Sequence, residues 1–423
     1  MGRPWRGLAG WYGMGPAVCL FRAGMDTDVV SLRASDSAIK GTLFAHADFI
    51  LTGVVMTLLG PMLPVFERRW SVDDAQAGYL FVAQFVTSMV GMLCSGPLVK
   101  RMGYRRTMIL GLLLMTVGVV MLARGGWVLG LASVSVFGVG FGATTPAVNL
   151  FIADANPGKR ASALNLVNAS WGIGAMGCPL LVAAAQRVHR PSLFFYGLAA
   201  GLLALAALLL PVRFEADAKR HDEEDPAGER GSWWQGGLLP LIVLVFFVYV
   251  GTENSVGGWV AAYARRISPG SVSFWAMVPS FFWGALLAGR ILAPLALRHG
   301  RETSVACAGL VLAVLGVTVL LSANGMTVVV LGACVTGLGL SSIFPINVSL
   351  LPHWFGEALP QLSGTIFSAG NLGGAVLPWV VGEFSSRFGS LRVGFFVPLV
   401  SALFLLSFYL VQASARRRVP EAA

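Results

Sequence analysis

The chain has 423 residues, 56% hydrophobic and only 12% charged, with a formal net charge of +10. Soluble globular domains carry about 25% charged residues, and a core limited by its surface-to-volume ratio cannot hide this much apolar surface from water. A water-soluble fold is excluded, and a chain solvated partly by lipid is expected.

Residues 1–40 mix Gly, Pro and Arg with scattered apolar side chains, without an apolar run long enough for a signal peptide or a span. They read as a cytoplasmic tail, with Met25 as an alternative start. From Gly41 onward, apolar runs alternate with short polar loops. A bilayer core takes about 20 apolar residues per helix. Twelve segments suit that length: 41–64, 75–99, 107–124, 127–152, 161–186, 191–211, 238–264, 272–297, 303–322, 326–351, 361–385 and 391–412. Their apolar runs are continuous and lack period-two alternation, which argues against a transmembrane barrel. The 52 glycines suit helices that pack closely in lipid.

The basic residues are placed unevenly. With the N-terminus inside, Arg101, Arg105, Arg106, Lys159, Arg160, Lys219, Arg298, Arg301 and most others of the 30 fall on the inner side. This fits the positive-inside rule with both termini cytoplasmic, so the charge sets orientation and implies no nucleic-acid partner. Cys94, Cys178, Cys307 and Cys334 sit in the expected spans without metal or redox spacing.

The chain also repeats itself. A shift of 199 places Gly138 on Gly337, Gly140 on Gly339, Pro146 on Pro345, Gly174 on Gly373 and Pro179 on Pro378. A shift of 198 places Gly53 and Gly60 on Gly251 and Gly258. Helices 1–6 therefore echo helices 7–12, and an even number per half makes the repeat parallel. The expectation is an all-α membrane protein with 12 transmembrane helices in two pseudo-symmetric six-helix bundles. Its parts are a tail over 1–40, bundles over 41–211 and 238–412, a polar cytoplasmic linker over 212–237 and a tail over 413–423. Two halves around a midplane cavity suit alternating access, in which the halves rock about one solute site. The chain has no Walker loop, metal-ligand cluster or nucleophile motif. No enzyme activity, cofactor or metal is expected.

The stretch Gly96-Pro-Leu-Val-Lys100-Arg101-Met-Gly103-Tyr104-Arg105-Arg106 resembles the signature loop of the major facilitator superfamily, with Lys100 where that pattern has Asp. Within the superfamily, two segments resemble the fucose–galactose–glucose:cation symporter group. They are Tyr249-Val-Gly-Thr-Glu253-Asn254-Ser-Val-Gly-Gly-Trp259 and Ala163-Leu-Asn165-Leu-Val-Asn168-Ala-Ser-Trp171-Gly172. The resemblance implies a major facilitator fold and sugar uptake coupled to H+ or Na+ by a monomer in a bacterial-type inner membrane. Members of that group can carry acidic residues deep in helices 1 and 4. Here Asp48 sits nearer the cytoplasmic end of helix 1, and Asp154 closes helix 4.

Ionisable groups inside a bilayer cost several kcal/mol and are functional suspects. Glu253, near the midplane of helix 7, is read as an ion-coupling carboxylate or as one hydrogen-bonded to a neighbouring helix. Asp48, with His46, is read as a proton relay, or else as a gate contact or a group solvated at the interface. Asn165, Asn168 and Trp171 share a face. Their amides match sugar hydroxyls and the indole offers a stacking surface, although interhelical bonding would use the same groups. Asn149, Gln84 with Ser88, Asn254, Asn347 and Asn371 are further cavity candidates. Trp259, Trp283 and Trp379 read as packing or belt residues. Arg290 reads as structural, snorkelling or paired with a carboxylate. Asp154 with Arg101 or Arg105 is a candidate inward-side latch. A proton-coupled exporter of drugs or metabolites, and a receptor or scaffold that moves nothing, remain as alternatives.

Overall fold

The computed structural model describes residues 40–212, 237–270, 273–299 and 302–418. The tail expected over 1–40 and the linker over 212–237 lie outside these residues, apart from Lys40, Val212 and Gly237. All regular structure among the described residues is helical. The helices are α1 (Lys40–Trp70), α2 and α3 (residues 74–102 and 104–124), α4 (Trp127–Ala155), α5 (Arg160–Arg187), α6 (Ser192–Leu209), α7 (Leu238–Ile267), α8 (Phe274–His299), α9 (Glu302–Leu321), α10 (Met326–Phe355), α11 (Leu359–Phe388) and α12 (Leu391–Ser414).

Eleven helices among the described residues are long and apolar enough to cross a membrane, and one of them, Asp74–Arg124, has 51 residues. A straight helix of that length would run about 76 Å, more than twice a hydrocarbon core of about 30 Å. It is broken at Gly103, whose φ of 81° and ψ of 169° are non-helical. That backbone region is open essentially to glycine alone. The rod therefore turns back there and crosses twice, as α2 and α3, which gives twelve spans. The stretch Gly96–Arg106 is thus helical except at one residue, and not the open loop its sequence suggests. Pro97 does not prevent this.

Local chemistry explains other boundaries. The Asp73 carboxylate accepts from the Gln76 N–H at 2.8 Å, and the Gln76 side chain accepts from the Asp73 N–H at 3.2 Å. This reciprocal cap starts α2. In α1, the regular helix is interrupted at Leu58, where Pro61 has no N–H to give to the Thr57 carbonyl. The helix then continues to Trp70, six residues beyond the expected end.

The duplication read from sequence recurs in the packing. A Cβ at Gly174 would fall on the Ile50 carbonyl, and one at the equivalent Gly373 would fall on the Phe247 carbonyl. So α5 meets α1 as α11 meets α7, through matched glycines. Lipid provides little hydrophobic drive between helices, so such backbone approach supplies the contact. The outer surface carries side chains such as Leu203, Leu315, Val400 and Leu403, all exposed, as expected where acyl chains are the solvent. Between the halves, Phe85 of α2 abuts Gly374 of α11, and Phe81 abuts Gly258 of α7. The Ser280 hydroxyl of α8 donates to the Met176 carbonyl of α5 at 2.7 Å.

Candidate functional site

A pocket lies on the seam between the halves, lined by Met56, Phe81, Gln84 and Phe85 from one half and by Asn254 and Trp283 from the other. Asn254 is 16 residues into α7, about 24 Å along it, so the pocket is near mid-membrane. The α1 and α7 backbones close in beside it, where a Cβ at Gly60 would lie 2.6 Å from the Gly257 carbonyl. The Gln84 amide donates to the Met56 carbonyl at 2.7 Å. Its Oε1 is buried and has no hydrogen-bond partner among the described residues. Asn254 donates back to the Val250 carbonyl at 2.8 Å. Trp283 meets Trp171 of α5 edge-on, with ring centroids 5.7 Å apart. Sequence reasoning took Trp283 as packing, and it is a wall of the pocket. Ser88 is turned away, donating to the Gln84 carbonyl at 2.7 Å with its backbone against Gly142 of α4.

Toward the end at which α1 and α7 begin, the seam opens. Asn165 and Asn168 are exposed there, and Asn168 donates to Asn149 Oδ1 at 3.4 Å. Asn371 of α11 donates to the Phe367 carbonyl at 3.1 Å and reaches Met92 Sδ at 3.5 Å. Asn347 is not among the residues lining this pocket; it is fully buried, accepts from the Tyr409 hydroxyl of α12 at 2.5 Å, and its Nδ2 has no partner among the described residues. Helical periodicity alone left the direction of that face open.

Two carboxylates sit within the membrane. Glu253 pairs with Arg290 of α8 at 3.3 Å, with Tyr249 in interaction range of both. Asp48 is 0% exposed, and neither of its oxygens has a hydrogen-bond partner among the described residues. It lies eight residues into α1, about 12 Å along it, so interfacial solvation does not account for it. His46 is turned to α5, 2.8 Å from Ser170 Oγ. Near the same end, Asp154 accepts from the Tyr104 hydroxyl at 2.5 Å. Arg105 donates to the Leu210 and Val212 carbonyls at 3.1 and 2.9 Å, rather than to Asp154.

The opposite end is closed by a charged latch that sequence reasoning missed. Arg266 of α7 binds both oxygens of Asp74 of α2 and lies 3.5 Å from Glu67 of α1. Ser385 of α11 donates to Asp74, and Arg265 donates to the Pro64 carbonyl at 2.6 Å. The Ala75 N–H donates to Ser386 at 2.8 Å. The available signal was the Arg265-Arg266 pair, set against the inward bias of the other basic residues. Arg266→Ala should loosen this end. A cysteine at Ser386 would then label faster with a membrane-impermeant thiol reagent applied from that side, and unchanged labelling would remove the latch.

The model of the Major Facilitator Superfamily matches residues 49–266 and again residues 241–423. The chain belongs to this superfamily. A glucose/galactose transporter of Brucella abortus is 25% identical over 384 residues, covering 86% of this chain and 92% of that one. Human sodium-dependent glucose transporter 1 is 22% identical over 396 residues, covering 84% and 76%. The E. coli fucose:proton symporter superposes with a TM-score of 0.59 at 20% identity over 89% of this chain and 99% of its own. A nucleoside transporter, NupG, superposes with a TM-score of 0.74 at 12% identity over 89% and 99%. These structural likenesses show the major facilitator fold, and superfamily membership makes the chain a multi-pass membrane transporter, not an enzyme.

Proposed function

We propose that this major facilitator protein is a cation-coupled importer of a neutral sugar or similar small polar solute. It works by alternating access as a monomer in a bacterial-type inner membrane, with both termini cytoplasmic. The observation that carries the reading is the unpartnered Gln84 Oε1 in the pocket shared by the two halves. A buried acceptor without a donor costs about 1–3 kcal/mol, and a solute hydroxyl supplies that donor. Trp283 offers an apolar face for a sugar ring, and Asn254 adds an amide from the other half. Asn149, Asn165, Asn168, Asn371 and Trp171 belong to the vestibule through which the solute leaves. The names of the Brucella and human relatives, both glucose transporters, support the same solute class.

In this reading the latched end is external and the conformation is inward-facing. Ion coupling falls first to Asp48, whose carboxyl oxygens have no hydrogen-bond partner among the described residues. Glu253 takes part only through its pair with Arg290. Arg101, Arg105 and Asp154 sit at the inner mouth, where Asp154→Asn should shift the balance of states without abolishing solute binding. Kinetics identical to the parent would remove that role.

The reading is tested by proteoliposome uptake of radiolabelled glucose, galactose and fucose under imposed pH or sodium gradients, one at a time. Uptake of at least one sugar should follow one gradient and collapse when it is dissipated. Folded protein that moves none of the three would overturn the proposal.

A further inference from the structure

The Glu253–Arg290 pair lies on the two helices that supply Asn254 and Trp283 to the pocket. Arg290 is seven residues beyond Trp283 on α8, two turns or about 10 Å further toward the open end on the same face. Trp283 is a pocket wall. Across from it, Glu253 precedes the pocket residue Asn254, and Gly257, one turn on, meets the Trp283 ring. The two side chains are not equally accessible. Arg290 is 25% exposed and Glu253 9%, so the arginine side chain is the more accessible of the two. Arg290 Nε is buried with no partner among the described residues, so the guanidinium keeps donor capacity beyond its 3.3 Å contact to Glu253 and its interaction with Tyr249.

A guanidinium at the edge of a solute pocket is a fork that grips carboxylates with two parallel hydrogen bonds. Glu253 supplies that carboxylate internally. An incoming anion would have to displace it, or sit against it at the cost of like-charge repulsion. The pocket-lining residues carry no charge of their own. We propose that Glu253 occupies the anion position of Arg290, and that this pair is what restricts the carrier to uncharged solutes. Arg290 is the specificity-determining residue, and the class held out is the sugar acids, hexuronates above all. The inference rests on the reading of the pocket as a sugar site.

The test compares equilibrium binding of glucose and glucuronate to the full chain in lipid nanodiscs. Parent protein should prefer glucose. Glu253→Gln leaves the guanidinium unclaimed and should move the glucuronate-to-glucose affinity ratio at least about tenfold toward glucuronate, the scale of one hydrogen bond to a charged group. Glu253→Gln combined with Arg290→Gln should return the ratio to the parent value. No shift in the single variant, or a shift that persists in the double, overturns the proposal. Should Glu253→Gln not fold, Arg290→Gln reads the same pair from its other side. The ratio of glucosamine to glucose should then rise by a similar factor, and a flat ratio sinks the idea. Parent protein that binds no neutral sugar at all would instead remove the sugar reading, a result separate from any of these.

Discussion

Asp48→Asn should abolish uphill accumulation of solute while leaving exchange across the membrane in place. The side chain is fully buried, and neither oxygen has a partner among the described residues. An unneutralised carboxylate within a bilayer costs about 2.5–3.5 kcal/mol on insertion scales. A bound cation removes that cost, so cation binding and the buried arrangement of α1 stabilise each other. Asparagine is neutral from the start and has nothing to gain from a cation. The variant should equilibrate sugar across proteoliposomes and support counterflow, with an accumulation ratio that no longer responds to the ion gradient. Accumulation equal to that of the parent would dismiss Asp48 as the coupling group. Glu253→Gln should act differently, because the Glu253 charge is already matched by Arg290 at 3.3 Å. Its main effect falls on what is bound.

Gly373→Leu should cost the protein its fold. Any side chain at that position would meet the Phe247 carbonyl of α7, a backbone atom that cannot turn aside. Overpacking of a rigid contact typically costs about 1–3 kcal/mol and occasionally more. Here two whole helices must separate, so the upper end applies. The equivalent Gly174→Leu meets the Ile50 carbonyl and should behave alike. Gly364→Leu is the control, since a Cβ there has nothing within 4 Å. Detergent-solubilised yield and thermal unfolding should fall sharply for the first two and stay near the parent for the third. Equal behaviour of all three would mean that the helices do not rely on these contacts.

Much of this architecture is written in the chain. Hydropathy gives the spans because each lipid-exposed helix must be apolar along its length, and the 199-residue echo gives the halves because Gly174 and Gly373 solve one packing problem twice. The α2–α3 junction misled, since a basic, glycine-containing stretch reads as loop whether or not its backbone remains helical. The site was legible only in part. Amides are conspicuous in apolar helices, and the same rule picks out Gln84 and Asn254, which line the pocket, and Asn347, which lies outside that lining and takes the hydroxyl of a tyrosine on α12. Trp283 read as packing, and Phe81 and Phe85 went unnoticed, because an aromatic in a span usually packs, and only the neighbouring half shows which ones line the pocket. The Glu253–Arg290 pair joins positions 37 residues apart on different helices, a pairing that no one-dimensional spacing encodes. The Arg266 latch joins residues separated by 192 positions and was out of reach for the same reason.

That latch has a physiological corollary. Arg266 is 40% exposed while Glu67 and Asp74 are 15% and 9% exposed, so the clasp sits where dissolved salt reaches it. Screening lengths shrink from about 10 Å at 0.1 M to about 3 Å at 1 M ionic strength. Concentrated salt at the latched end would therefore loosen the clasp, and under the proposed orientation the resting carrier would spend more of its time open to the outside.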